Sequence, residues 1–185
     1  MYKKLQLKNS EINYLDSGEG FPILFGHSFL WTNKMWQPQI ESLSKSYRCI
    51  VPDLWGHGDS GSVPEDTESL GDLANEMLSL LDHLGIQKFG IVGLSVGGMW
   101  AVEMALKVPE RVKFMVLMDT FMGIEPEKSK NEYFGMLDLI GKMGTIPEPI
   151  ITQVAPNFFS KSTQQTKPTL VTEFSNNLSS ELKAL

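Results

Sequence analysis

The chain is poor in the side chains that build metal and disulfide sites. It has one cysteine, Cys49, and three histidines, His27, His57 and His83, in 185 residues. One cysteine excludes an internal disulfide framework and a multi-cysteine zinc site. No apolar run approaches the ~18 residues of a membrane-spanning helix. The opening Met1-Tyr2-Lys3-Lys4-Leu5-Gln6 is basic with no apolar stretch behind it, so it does not read as a signal peptide. Positive charge is also short: 16 Lys and Arg face 22 Asp and Glu, for a net charge of −6 with no basic run. A nucleic-acid partner is therefore not expected. The reading is a soluble, cytoplasmic protein with no membrane partner.

What is present is globular. Hydrophobic residues make up 42% and charged residues 21%, which argues against disorder. Leu5-Gln6-Leu7 and Ile12-Asn13-Tyr14-Leu15 alternate as strands, separated by Lys8-Asn9-Ser10. Pro22–Gly26, Arg48–Val51, Phe89–Leu94 and Val112–Met118 are nearly continuous apolar strands, which a sheet covered on both faces requires. Between them, Leu70, Leu73, Ala74, Met77, Leu80, Leu81 and Leu84 recur at helical spacing, with Gly85 placed to end the helix. Met99 to Leu106 form a second helix stopped by Pro109, and Trp36, Ile40 and Leu43 a weaker one. This order predicts an α/β fold: a doubly wound mixed, mostly parallel sheet with helices on both faces. From about Gly123 the rhythm stops, and 125–185 reads as helical fragments without a further strand.

Gly93-Leu94-Ser95-Val96-Gly97 is a G-x-S-x-G pentapeptide between an apolar strand and a helix. In that context the turn is tight, and small residues at Gly93 and Gly97 let the strand and helix backbones approach. Ser95 would project at the C-terminal edge of the sheet, beside a helix N-terminus that favours a developing anion. The bland alternative is a serine that only caps the helix. Glycine on both sides favours the nucleophile. The loop Gly26-His27-Ser28-Phe29 follows another strand, and the Phe29 N–H is expected to complete an oxyanion hole with the Val96 N–H. His27 reads as a loop organiser rather than a base. Gly56, Gly58 and Gly61 match G-x-G-x-x-G, but Ser62 to Asp66 is loop-like where a dinucleotide site needs a helix. His57 and Asp59 read as ties within that turn, and His83 as a surface histidine. Asp119, ending the last strand at the same sheet edge, is an alternative acid or a strand-end cap. The methionines read as core filling or as an adaptable pocket lining.

Together the oxyanion loop, Asp53-Leu54-Trp55-Gly56-His57-Gly58-Asp59-Ser60-Gly61, the elbow Gly93 to Gly98, and Met118-Asp119-Thr120 resemble the α/β-hydrolase superfamily over about residues 3–124. Ser28 stands where most of that superfamily has glycine. The resemblance implies an N-terminal part of the hydrolase core over 1–124 and a helical cap segment, incomplete, over 125–185. It also implies two further strands bearing the triad acid and histidine, neither of which is in this sequence. The expectation is therefore a truncated serine hydrolase of small esters, esterase-like and needing no cofactor, with Ser95 as nucleophile. The 185 residues alone are expected to be nearly inactive. The rival reading is an incomplete or pseudo-hydrolase that only binds a ligand or partner. Lactone, C–C or peracid chemistry would keep the same triad. Expected partners are a small ester-like substrate, the missing C-terminal part, or a second copy of the chain.

Overall fold

The structure is a computed structural model that describes the backbone of residues 1–144 and 147–181, and side chains as far as residue 176. Residues 182–185, the end of the helical stretch read from the sequence, lie outside the described residues. Two compact units divide at Met122/Gly123.

The first unit holds β1 (Tyr2–Leu7), β2 (Ser10–Ser17), β3 (Phe21–Gly26), α1 (Gln37–Leu43), β4 (Tyr47–Pro52), α2 (Leu70–His83), β5 (Phe89–Leu94), α3 (Val96–Lys107) and β6 (Val112–Met118). The strands form one sheet in the order β1-β2-β4-β3-β5-β6. β1, β2 and β4 pair antiparallel, and β4, β3, β5 and β6 run parallel. The doubly wound mixed sheet is thus the one the alternation of elements predicts. β2 begins at Ser10, two residues before the apolar pattern does. Ser10 is polar yet buried, its hydroxyl donating to the Ser62 carbonyl at 2.7 Å, and this leaves a two-residue turn with Lys8 at φ 54°.

The continuous apolar strands are explained by two cores, one on each face. Leu24 and Ile50 face the α2/α3 side with Met77, Leu80, Trp100 and Met104. Their strand neighbours Ile23, Phe25, Cys49 and Val51 face Trp36 and Ile40 on the α1 side. Period-two alternation therefore buries the last four residues of β3 and of β4, on whichever face each one points. β6 departs from this pattern: with a neighbour on one side only, its residues Phe114 to Met118 are 39–45% exposed.

Local signals set the ends of α2. The Ser69 side chain accepts from the Asp72 N–H, the capping arrangement that satisfies a first-turn donor. At the other end Gly85 takes φ 70° while the Ile86 N–H returns to the Leu81 carbonyl at 2.9 Å. Before α1, residues Asn33–Trp36 form a 3₁₀ turn rather than a continuous helix, and Pro38 lies in the first turn of α1.

The second unit contains α4 (Glu127–Met143), α5 (Glu148–Val154), a 3₁₀ turn (Ala155–Phe158), α6 (Lys161–Thr166) and α7 (Pro168–Glu181), with no strand among the described residues. Phe158 and Phe159 both pack on Phe174, with ring centroids 5.0 Å apart. Among the described residues of both units, no helix is long and apolar enough to cross a membrane.

Candidate active site

The topology singles out one position on the sheet. β3 and β5 are adjacent and parallel, with Gly26 opposite Gly93. The connection after β3 runs through α1 on one face, and the connection after β5 through α3 on the other. Connections that diverge at neighbouring strand ends leave a crevice where α/β proteins bind ligands. The loop after Gly26 and the turn at Ser95 flank it.

Ser95 has φ 53° and ψ −121°, a sparsely populated conformation for a residue with a side chain. Its hydroxyl makes no capping bond to α3, so the helix-cap alternative has no support here. Two contacts from the end of β6 hold the strained residue: its N–H donates to the Met118 carbonyl at 3.0 Å, and its carbonyl accepts from the Thr120 hydroxyl at 2.7 Å. Thr120 sits against Gly98, where an added Cβ would come within 2.8 Å of it. The side chain is half-buried, consistent with a position at the rim of the sheet.

The tightness is enforced by glycine. A Cβ on Gly97 would lie 2.2 Å from the Gly26 carbonyl oxygen, and one on Gly93 would lie 2.5 Å from the Gly97 oxygen. Both clashes are with backbone, which cannot swing aside. Gly97→Ala should therefore destabilise the protein by about 1–3 kcal/mol or more, the usual range for overpacking. The expected result is a clear drop in the urea unfolding midpoint; a midpoint unchanged from the parent would show that the backbones can part.

The N–H groups of Val96 and Phe29 have no hydrogen-bond partner among the described residues. Phe29 is 37% exposed, and its ring meets the His57 ring edge-on with centroids 5.5 Å apart. The next residue, Leu30, takes φ 68°, so this loop also departs from ordinary backbone geometry.

His27 is fully buried, and both ring nitrogens are occupied. Nε2 accepts from the Leu54 N–H at 2.8 Å and Nδ1 lies 2.8 Å from the Ser28 carbonyl. Burial pushes its pKa down to about 3, so the imidazole is neutral. His57 is similarly engaged, by Trp55 and Leu30, and burial again lowers its pKa. His83 is exposed on α2. Asp59 does not tie its turn with its side chain: it is exposed, and its backbone N–H donates to Asp53 at 3.3 Å. Residues 56–66 contain no helix: Gly56 and Gly58 lie in turns and Gly61 in the irregular stretch that follows. Asp119 is exposed after β6 at φ 40°.

Asp53 and Thr120 had no individual role in the sequence reading. The buried Asp53 carboxylate accepts from the Asn33 N–H at 2.6 Å and the Asn13 side chain at 2.7 Å, joining the segments after β3 and β4 to β2. Burial raises its pKa against the pull of these donors. The available signal was an aspartate close behind an apolar strand; for Thr120 there was none. Among the described residues no three His, Cys, Asp or Glu side chains are grouped as a metal ion requires.

Comparison with known proteins agrees with this fold. The sequence model of the alpha/beta hydrolase fold matches residues 22–171. A 3-oxoadipate enol-lactonase of Acinetobacter baylyi is 28% identical over 94% of this chain and 64% of its own length. An uncharacterized carboxylesterase of Bacillus subtilis is 35% identical over 55% of this chain and 35% of its own. The structure of a thermophilic esterase from Thermogutta terrifontis superposes with a TM-score of 0.86 and 27% identity, covering 100% of this chain and 68% of that one. The chain thus spans between about a third and two thirds of the length of these relatives.

Proposed function

Because the chain belongs to the alpha/beta hydrolase fold family, we propose that it carries the nucleophile and oxyanion hole of a serine hydrolase acting on small esters or related acyl substrates. The observation that carries this reading is Ser95: strained, uncapped, and placed where the connections after β3 and β5 diverge. Its hydroxyl oxygen attacks the substrate carbonyl carbon while the carbonyl electron pair moves onto oxygen. The free N–H groups of Val96 and Phe29 receive that oxyanion; each such donor contributes about 2.7–4 kcal/mol to the transition state. A histidine takes the hydroxyl proton and returns it to the leaving alkoxide, and water then releases the acyl group.

None of the three histidines here suits that task. His27 and His57 have both ring nitrogens engaged, and His83 is exposed on α2. The proposal therefore places the triad histidine, and the acid that orients it, outside these 185 residues. Asp119 is the alternative acid. The same facts favour a second reading for the isolated 185 residues, which should hydrolyse p-nitrophenyl acetate hardly at all. The names of the lactonase and the two esterases support acyl chemistry, and a serine at the elbow suits it better than the carboxylate that dehalogenation uses.

A fluorophosphonate probe tests the assignment. In the full-length protein it should form a single adduct, and peptide mapping should place it on Ser95. No adduct, or one on another residue, would remove the basis for the serine mechanism.

A further inference from the structure

The loop after β3 and the turn after β4 exchange histidines. His27, in the first, accepts the N–H of Leu54 in the second at 2.8 Å. His57, in the second, accepts the N–H of Leu30 in the first at 3.2 Å. Each ring's other nitrogen faces a carbonyl of its own segment, Ser28 and Trp55 respectively, both at 2.8 Å. A backbone N–H can only donate, so each Nε2 must be bare and each Nδ1 must carry the proton. The two rings lie 5.3 Å apart, centroid to centroid.

The His57 bond ends on a peptide next to the proposed oxyanion donor. Leu30 is a leucine held at φ 68°, a conformation that costs free energy unless the surroundings fix it. Its N–H is the one that His57 binds, and the Phe29 ring packs edge-on against the same imidazole. Those contacts set the Phe29–Leu30 peptide plane and so the backbone torsions around Phe29. The Phe29 N–H itself stays unpaired among the described residues.

We propose that His57 is a positioning residue, whose bare Nε2 clamps the Leu30 amide and thereby aims the Phe29 N–H at the oxyanion. This rests on the serine-hydrolase reading above but adds a residue to it. His57 touches neither substrate nor nucleophile; it acts through the loop.

The test uses the full-length protein with two variants. His57→Phe keeps a ring of similar size and removes the acceptor, whereas His57→Gln supplies a side-chain oxygen in its place. His57→Phe should speed hydrogen exchange of the Leu30 amide at least roughly tenfold and slow phosphonylation of Ser95 roughly 10- to 100-fold, the scale of a misaimed catalytic group. The loss should fall on the maximal rate of modification, with the half-saturating probe concentration little changed. His57→Gln should recover most of both, and Leu54 amide protection should stay as in the parent. Unchanged Leu30 exchange, or faster exchange with an unchanged phosphonylation rate, would overturn the proposal.

Should His57→Phe fail to fold, the unmodified protein supplies a second measurement. The ¹⁵N spectrum should show His57 Nε2 without a proton at neutral pH, and a protonated Nε2 would rule out the clamp. If Ser95 of the parent does not react at all, the serine mechanism fails on its own account. Leu30 exchange in His57→Phe then still decides whether the clamp exists.

Discussion

Replacing Ser95 with alanine should lower ester turnover by the full-length protein roughly 10⁶-fold, the scale seen when an acyl-transfer nucleophile is deleted. The oxyanion donors survive the change, since Val96 and Phe29 contribute backbone groups. Residual hydrolysis by attack of water should therefore remain above the uncatalysed rate. Stability should change by no more than about 0.5 kcal/mol, because the hydroxyl makes no hydrogen bond that would be lost. Steady-state hydrolysis of p-nitrophenyl butyrate measures the rate effect, and urea unfolding measures the stability effect. A variant retaining more than about a tenth of the parent rate would show that bond cleavage does not pass through this oxygen.

Acid should destabilise the fold through His27. Its pKa stands near 3 in the folded protein, because burial penalises the imidazolium, against about 6.5 in an unfolded chain. Between those values the unfolded state binds one proton more than the folded state. The stabilisation from the neutral ring is thus complete above pH 6.5 and is lost as pH falls towards 3. Each unit removes about 1.4 kcal/mol, for a total of roughly 5 kcal/mol.

His57 acts in the same sense, since burial lowers its pKa as well. Asp16 adds a loss only below its unfolded value, because Arg48 and then Lys3 hold its pKa near 2 against burial. Asp53, whose pKa burial raises, works in the opposite direction. Comparing unfolding free energies of the parent and His27→Gln from pH 4 to 6.5 isolates the histidine. The variant should be less stable at neutral pH and show a slope smaller by up to about 1.4 kcal/mol per pH unit. Equal slopes would mean that His27 is not the group taking up the proton.

The two histidines also show where sequence reasoning reached its limit. The chain has His27 two residues before the proposed donor, and its role as loop organiser was legible from its place after an apolar strand. That His57 binds the same loop was not legible. The pairs His27–Leu54 and Leu30–His57 are each 27 residues apart, and no local pattern specifies a side chain that reaches across two loops. From its place in the turn Asp59 reads as a tie, yet the carboxylate that joins the loops is the buried Asp53. A buried and an exposed aspartate look alike until the chain is folded. Ser10 shows the same limit at a strand boundary, where a polar residue belongs to the sheet because its hydroxyl finds the Ser62 carbonyl.

By itself the sequence determined the apolar strands, the capped helix α2, and a glycine-flanked serine between β5 and α3, because those features depend on spacing within one or two turns of chain. Folding decided what spacing cannot carry. It inserted β3 between β4 and β5, brought Gly97 against Gly26, fastened Ser95 to the end of β6, and crossed the two histidines between loops. Each of those contacts joins groups remote in sequence, and its strength depends on burial and direction that exist only once both cores have closed around the sheet.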